Sequence, residues 1–99
     1  MAISELLEQI KDDRLKKEQL ESYYSKICEL RSQLSVSIAD LVKKEAIFLS
    51  KRGEESVASA KINWKSSEDG QKLITYKGYA TALASAERGI KNRIFSLIN

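Results

Sequence analysis

The sequence contains no histidine and no proline, and it has a single cysteine and only four glycines among its 99 residues. Without histidine, the chain lacks the commonest general base and the commonest metal ligand. Cys28 has no histidine for a catalytic dyad and no second cysteine for an internal disulfide, so we expect it to be a small residue beside the core. No glycine-rich phosphate-binding loop is present. We therefore expect a protein that is not an enzyme and that uses no cofactor, metal ion or small-molecule substrate.

The absence of proline permits very long helices, because proline is the residue that most strongly interrupts them. A chain of this length and composition predicts one helical domain over residues 1–99. The net charge is +3, with both signs interspersed as on a solvated helix surface. No apolar run is long enough for a signal peptide or a membrane span, and sparse cysteine suits a reducing compartment. We expect a cytoplasmic protein without a membrane partner, which includes the cytoplasm of an infected bacterial host.

A stripe of positions spaced alternately three and four residues apart runs from Ile3 to Phe48 without a change of register. Ten of its fourteen positions are apolar or aromatic, so the spacing predicts a long amphipathic helix. Gly53, which follows two basic residues, is typical of the position just past a helix end. The predicted helix covers residues 3–51. The stripe consists of Ile3, Leu6, Ile10, Asp13, Lys17, Leu20, Tyr24, Ile27, Arg31, Leu34, Ile38, Leu41, Glu45 and Phe48.

A second stripe of the same spacing runs from Leu73 to Leu97, and seven of its eight positions are apolar or aromatic. Ser67, followed by two acidic residues, is a helix start signal, because its side chain can accept hydrogen bonds from the first free N–H groups. The predicted helix covers residues 68–98. The fold that we predict is all-α, a long antiparallel, coiled-coil-like helical hairpin.

The segment between the two stripes predicts a short separate helix over residues 56–65. Ser56 can cap its first turn, and the adjacent Ser66 and Ser67 favour a break at its end. The alternative is one continuous helix from Ser56 to the end of the chain.

Each stripe is interrupted once near its middle by a charged residue, Arg31 in the first and Glu87 in the second. Aligning Glu68 with Ser50 in an antiparallel hairpin places Arg31 opposite Glu87. A polar pair inside an apolar seam fixes the register of two helices at a cost in stability. The alternative is that both residues border the seam with their charges in water. The same register places Leu34 beside Ala84 and Ile38 beside Ala80.

The first stripe is also interrupted near its start, by Asp13 and Lys17. Either the N-terminal helix frays or leaves the hairpin there, or the apolar residues before the interruption form a detached patch for another subunit or a partner. The second long helix is too short to cover the whole first helix, so we expect this patch to be uncovered. A thin hairpin also buries little surface, so we expect a homo-oligomer. The patch consists of Ile3, Leu6, Leu7 and Ile10.

Lys61, Trp64 and Lys65 combine an aromatic ring with positive charge at helical spacing. Such a combination can bind nucleic acid, because the indole ring stacks on an unpaired base while lysine contacts phosphate. The alternative is that Trp64, together with Ile62, covers the open end of the hairpin. The possible nucleic-acid or partner patch also includes Lys51, Arg52 and Lys72.

This arrangement of segments resembles a family of small helical proteins encoded in bacteriophage and prophage genomes, often among recombination and early genes. The corresponding pieces are Lys51-Arg52-Gly53 as the turn, Ser56 to Trp64 as the small segment with an aromatic residue, and Leu73 to Leu97 as the second stripe. The resemblance implies an accessory protein that binds a protein partner. It would modulate phage recombination or inhibit a host defence nuclease complex, as anti-CRISPR proteins do. The alternatives are a nucleic-acid-binding accessory protein and a structural coiled-coil oligomer.

Overall fold

The computed structural model describes residues 3–98, which form four helices and no strand. Residues 1, 2 and 99 of the predicted domain lie outside this range. The two long helices pack against each other along a rod of 61 × 20 × 18 Å, which confirms the all-α hairpin with a short helix between its arms. The helices are α1 (Ile3–Gln9), α2 (Lys17–Ser50), α3 (Val57–Ser66) and α4 (Glu68–Ile98).

Most apolar residues of the predicted stripes form the core of the hairpin, whereas Phe48 and Leu97 at the stripe ends are 38% and 57% exposed. Every seventh residue of α2 is buried, and these side chains meet buried residues of α4. The carboxylate of Glu87 forms an ion pair with the guanidinium group of Arg31, so the predicted register is confirmed. The thiol of Cys28 donates a second hydrogen bond to Glu87, at 3.5 Å. The buried residues of α2 are Leu20, Ile27, Leu34 and Leu41, and those of α4 include Leu73, Leu83 and Ile90.

The short helix α3 closes the turn end of the rod. Gly53 adopts a positive φ of 65° in the turn after α2, and the Ser56 hydroxyl accepts a hydrogen bond from the Ser59 N–H at 3.1 Å. Trp64 is buried in a cluster with Leu41 and Leu73. The separate short helix is therefore confirmed, and Trp64 covers the end of the hairpin.

The break between α3 and α4 is a single residue, Ser67. Its backbone N–H donates to the Trp64 carbonyl oxygen at 3.0 Å, and its hydroxyl accepts from the Gly70 N–H at 3.0 Å. Gly70 is buried, and a Cβ atom added there would collide with the Trp64 carbonyl group. The sharp bend therefore requires a serine that serves both helix ends and a residue without a side chain at position 70.

The single helix predicted over residues 3–51 is wrong at its N-terminal end. α1 ends at Gln9, the chain reverses over residues 10–16, and α2 begins at Lys17. α1 then packs against α4. Leu6 is fully buried and Ile10 is 8% exposed, so the prediction that they are uncovered is also wrong. Because the chain reverses, Leu6 and Ile10 pack into the same buried cluster as the residues of α2 and α4.

Candidate protein-binding groove

A groove of about 560 Å³ lies between α1 and α4 and opens to solvent. Its α4 side consists mainly of small residues, whose short side chains leave space beneath the neighbouring helix. Aliphatic side chains of both helices form its apolar walls. The α1 side is lined by Ser4, Leu7, Glu8, Ile10 and Lys11, and the α4 side by Ala82, Ser85, Ala86, Gly89, Ile90 and Arg93.

Gly89 makes the groove deeper than the fold requires. A Cβ atom added at Gly89 would meet no other atom within 4 Å, so the packing of this chain does not call for glycine there. Glycine inside a helix costs about 1 kcal/mol relative to alanine, because it loses more backbone freedom on folding. Gly78 is also a glycine of α4 with open space in front of it, but it does not line the groove.

Replacement of either glycine by alanine is expected to stabilise the protein. Gly89→Ala and Gly78→Ala should each raise the free energy of unfolding by about 0.5–1 kcal/mol, because each removes unfolded-state freedom without creating a clash. Chemical denaturation followed by circular dichroism measures the change. A loss of stability in Gly89→Ala would contradict the open groove.

Arg93 fixes the end of α1 beside the groove. Its guanidinium group donates one hydrogen bond to the Ile10 carbonyl oxygen and one to the Asp12 carbonyl oxygen, both at 2.6 Å. Both acceptors lie in the turn that follows α1, where they have no helical partner, so this cation satisfies two backbone carbonyl groups close to the negative end of the α1 dipole. Arg93 thus ties the chain reversal to α4.

Charged residues surround the apolar groove and the turn. Lys11 and Glu8 form an exposed ion pair at 2.9 Å on the rim. In the turn, the Asp12 carboxylate accepts hydrogen bonds from the Arg14 backbone N–H at 2.9 Å and from its side-chain Nε at 3.1 Å. The hydrogen bonds from Arg14 lower the pKa of Asp12 below its ordinary value. A lowered carboxyl pKa stabilises the folded turn at neutral pH, and this contribution is lost in acid, below about pH 4.

The four residues of the predicted N-terminal patch differ in burial and do not form one continuous surface. Leu6 belongs to the core, whereas Ile3 and Leu7 are only partly buried. Leu7 and Ile10 line the groove, so part of the predicted patch remains beside an open surface. The patch therefore contributes one wall of the groove instead of forming a free apolar face.

Trp64, the aromatic residue of the predicted nucleic-acid or partner patch, is buried and does not belong to that surface. Trp64 is 5% exposed and packs against Phe48, with 5.6 Å between the ring centroids, so it cannot stack on a base. Lys72 lies 3.6 Å from Glu68 in an ion pair. The remaining members of the patch, Lys51, Arg52, Lys61 and Lys65, are exposed.

The α4 side of the groove was not among the predicted site residues. A signal for it exists in the sequence, since Ala82, Ser85, Ala86 and Gly89 are small residues whose spacings of three and four place them on one helix face. Arg93 carries no such signal, because its partners are backbone carbonyl groups brought close only by the reversal of the chain.

Within residues 3–98, no group of three or more histidine, cysteine, aspartate or glutamate side chains is placed to hold a metal ion. No helix of this described range combines the length and apolar character needed to cross a membrane. No family model, curated protein or solved structure matches this chain.

Proposed function

We propose that this protein is a non-enzymatic accessory protein that acts by binding another protein, and that the groove between α1 and α4 receives an apolar segment of that partner. The observation that supports this proposal is the composition of the groove, with a floor of small residues at Ala82, Ala86 and Gly89 and an aliphatic wall at Leu7 and Ile10. Small residues allow another backbone to approach closely, and a helix docks in such a groove through apolar residues spaced three or four apart.

The rim gives the groove a means of orienting its partner. Glu8 and Lys11 pair with each other but their side chains are 73% and 70% exposed, so both charges are accessible to a partner at the edge of an apolar interface. An apolar centre with a polar rim is the usual composition of a protein interface. Apolar contact supplies most of the affinity in such an arrangement, and rim charges mainly affect the association rate and the choice of partner.

The resemblance to small helical phage proteins extends the proposal to the class of partner. In this proposal the partner belongs either to a host defence nuclease complex, which the protein inhibits, or to the phage recombination machinery, which it modulates. The protein then acts in the cytoplasm of the infected bacterium.

Binding of nucleic acid is the alternative that the exposed cations at the turn end favour. Lys51, Arg52, Lys61 and Lys65 are available to phosphate groups. The burial of Trp64 removes the stacking contact on which that hypothesis depended, so the affinity would be almost entirely electrostatic. It would then fall steeply with salt and would not depend on the groove.

Filling the groove tests the proposal. Tagged wild-type protein, Gly89→Leu and the matched control Gly78→Leu are recovered from the native host, and the retained proteins are identified by mass spectrometry and purified. Both variants add the same side chain to an open position of α4, but only Gly89→Leu occupies the groove. Binding by wild type and control, with affinity at least about tenfold weaker for Gly89→Leu, supports the groove as the site.

Two results would contradict the proposal. Equal affinity of the purified partner for all three proteins would place the interface elsewhere. Retention that disappears after nuclease treatment or in raised salt would favour the nucleic-acid alternative.

A further inference from the structure

The C-terminal part of α4 carries positive charge without compensating acids. From Arg88 onward the chain contains three basic residues and no acidic residue. Arg93 donates its hydrogen bonds to backbone carbonyl groups of the turn after α1. Arg88 and Lys91 are exposed, and within residues 3–98 neither forms an ion pair. Glu87, the acid that precedes this segment, is paired with Arg31, so two cations remain accessible to an external anion.

An exposed aromatic ring lies on the same face of the helix. Arg88, Lys91 and Phe95 are spaced three and four apart, which aligns them along about 10 Å of one face of α4. Phe95 is 67% exposed, although phenylalanine is usually buried. Among residues 3–98, the one pair of interacting aromatic rings is Phe48 with Trp64, so the ring of Phe95 is not engaged with another ring. An accessible aromatic face thus lies beside two accessible cations.

A groove of about 310 Å³ between α2 and α4 adjoins this ring, and we refer to it as the Phe95 groove. It is lined by Glu21, Tyr24, Lys91, Ile94 and Phe95. The acid in this set, Glu21, belongs to α2 and lies 3.9 Å from Lys17 in an ion pair, whereas the α4 side contributes a cation and an aromatic ring. The volume is at the lower limit of small-molecule sites, which suits one planar group such as a base.

The Phe95 groove is separate from the groove beside α1 and from the basic patch at the turn end. Gly89 lines the groove beside α1 and Lys91 lines the Phe95 groove, and they flank the buried Ile90 by about 100° on either side of the helix. Lys61 and Lys65 belong to α3, at the other end of the rod. Each of the three surfaces can therefore be altered without changing the other two.

We propose that the Phe95 groove binds a single strand of nucleic acid, with one base stacked on Phe95 and neighbouring phosphates bound by Arg88 and Lys91. Proteins bind single strands without sequence preference by combining such stacking with cations that contact the backbone. A duplex has the same kind of charge, but its bases are stacked on one another and their faces are not accessible to the ring. The groove is therefore expected to prefer single strands. DNA and RNA share the base and phosphate groups that it recognises.

Replacement of the exposed ring tests the stacking contact. The affinities of wild type, Phe95→Ala and Phe95→Trp for labelled oligothymidylate, oligouridylate and a DNA duplex of the same length are measured by fluorescence anisotropy at low salt. Wild type should bind at least one of the single strands more tightly than the duplex. Phe95→Ala should bind that strand at least about tenfold more weakly, and Phe95→Trp should retain the affinity because indole also stacks on bases. Circular dichroism checks that both variants fold, as expected for an exposed position.

Removal of the cations tests the phosphate contacts. The double variant Arg88→Gln/Lys91→Gln should bind the single strand more weakly, and the slope of log affinity against log salt should decrease by about 0.7 for each charge removed. The matched control is Lys61→Gln/Lys65→Gln, which removes the same number of exposed cations from the turn end. Its affinity should stay within about twofold of wild type, because charges far beyond the screening length contribute little.

Four results would overturn the proposal. They are no binding of either single strand by wild type, equal affinity of wild type and Phe95→Ala, binding of the duplex as tight as that of the single strands, and a loss confined to Lys61→Gln/Lys65→Gln. The last result would assign nucleic-acid binding to the turn end. None of them bears on protein binding in the groove beside α1, which Gly89→Leu tests on the other side of α4.

Discussion

Trp64→Ala is expected to lower the free energy of unfolding by about 3–5 kcal/mol, which is the usual cost of removing a large buried aromatic side chain. Trp64 is 5% exposed and lies between Leu41 of α2, Leu73 of α4 and the ring of Phe48. Its removal leaves a cavity where three helices meet. Urea denaturation followed by circular dichroism measures the loss, and the variant should bind DNA no more weakly than wild type under conditions in which it is folded.

Ile62→Ala is the matched control on the same helix. Ile62 is 64% exposed, so its removal should change the stability by no more than about 0.5 kcal/mol. If Trp64→Ala were as stable as Ile62→Ala and lost affinity for single-stranded DNA, Trp64 would be a stacking residue on an open surface. That result would favour nucleic-acid binding at the turn end.

Gly70→Ala is expected to lower the free energy of unfolding by about 2–3 kcal/mol, although it adds only one methyl group. The added Cβ atom would collide with the Trp64 carbonyl group, which is backbone and cannot rotate away. The last turn of α3 must then move away from α4, which also disturbs the hydrogen bonds of Ser67. Thermal or urea denaturation measures the effect.

Gly78→Ala provides the comparison for this substitution, because Gly78 lies in the same helix with open space in front of it. It should stabilise the protein, so the two glycine substitutions in one helix should have opposite signs. A stabilising Gly70→Ala would mean that α3 and α4 do not approach as closely as the structure indicates.

The periodicity of the sequence predicts the hairpin because α2 and α4 bury one continuous stripe each. The charged residues within these stripes, Arg31 and Glu87, also predict their register, since a charge in an apolar seam needs a partner of opposite sign. The break before α4 is predictable for a similar reason. Adjacent serines and a nearby glycine favour a helix end over a continuous helix.

The reversal after α1 and the groove beside it are not predictable in the same way. Residues 10–16 contain neither glycine nor proline, and the heptad phase continues through them, so the only local signal against a continuous helix is the pair of charged residues Asp13 and Lys17 within the stripe. What selects the reversal is tertiary: the burial of Leu6 and the hydrogen bonds from Arg93 to backbone carbonyl groups. Interactions of this kind leave no spacing pattern in the sequence.

The α1 end of the rod thus combines an open apolar groove with a helix that is held mainly by a few tertiary contacts. Local opening of such a segment requires less free energy than global unfolding. A partner that binds beside α1 would stabilise it, because ligands that bind only the folded form shift the equilibrium towards that form. Partner binding in the groove is therefore expected to reduce the local opening of α1.

Photocrosslinking in the native host tests the central claim, that this protein binds another protein through the groove. A photoreactive amino acid is introduced at Ser85, which lines the groove, and in a separate variant at Val36, which is 73% exposed on α2. We predict that illumination links the Ser85 variant, and not the Val36 variant, to a defined host or phage protein, and that Gly89→Leu abolishes this product. Identical products from both positions, or a Ser85 product that persists in Gly89→Leu, would contradict the claim.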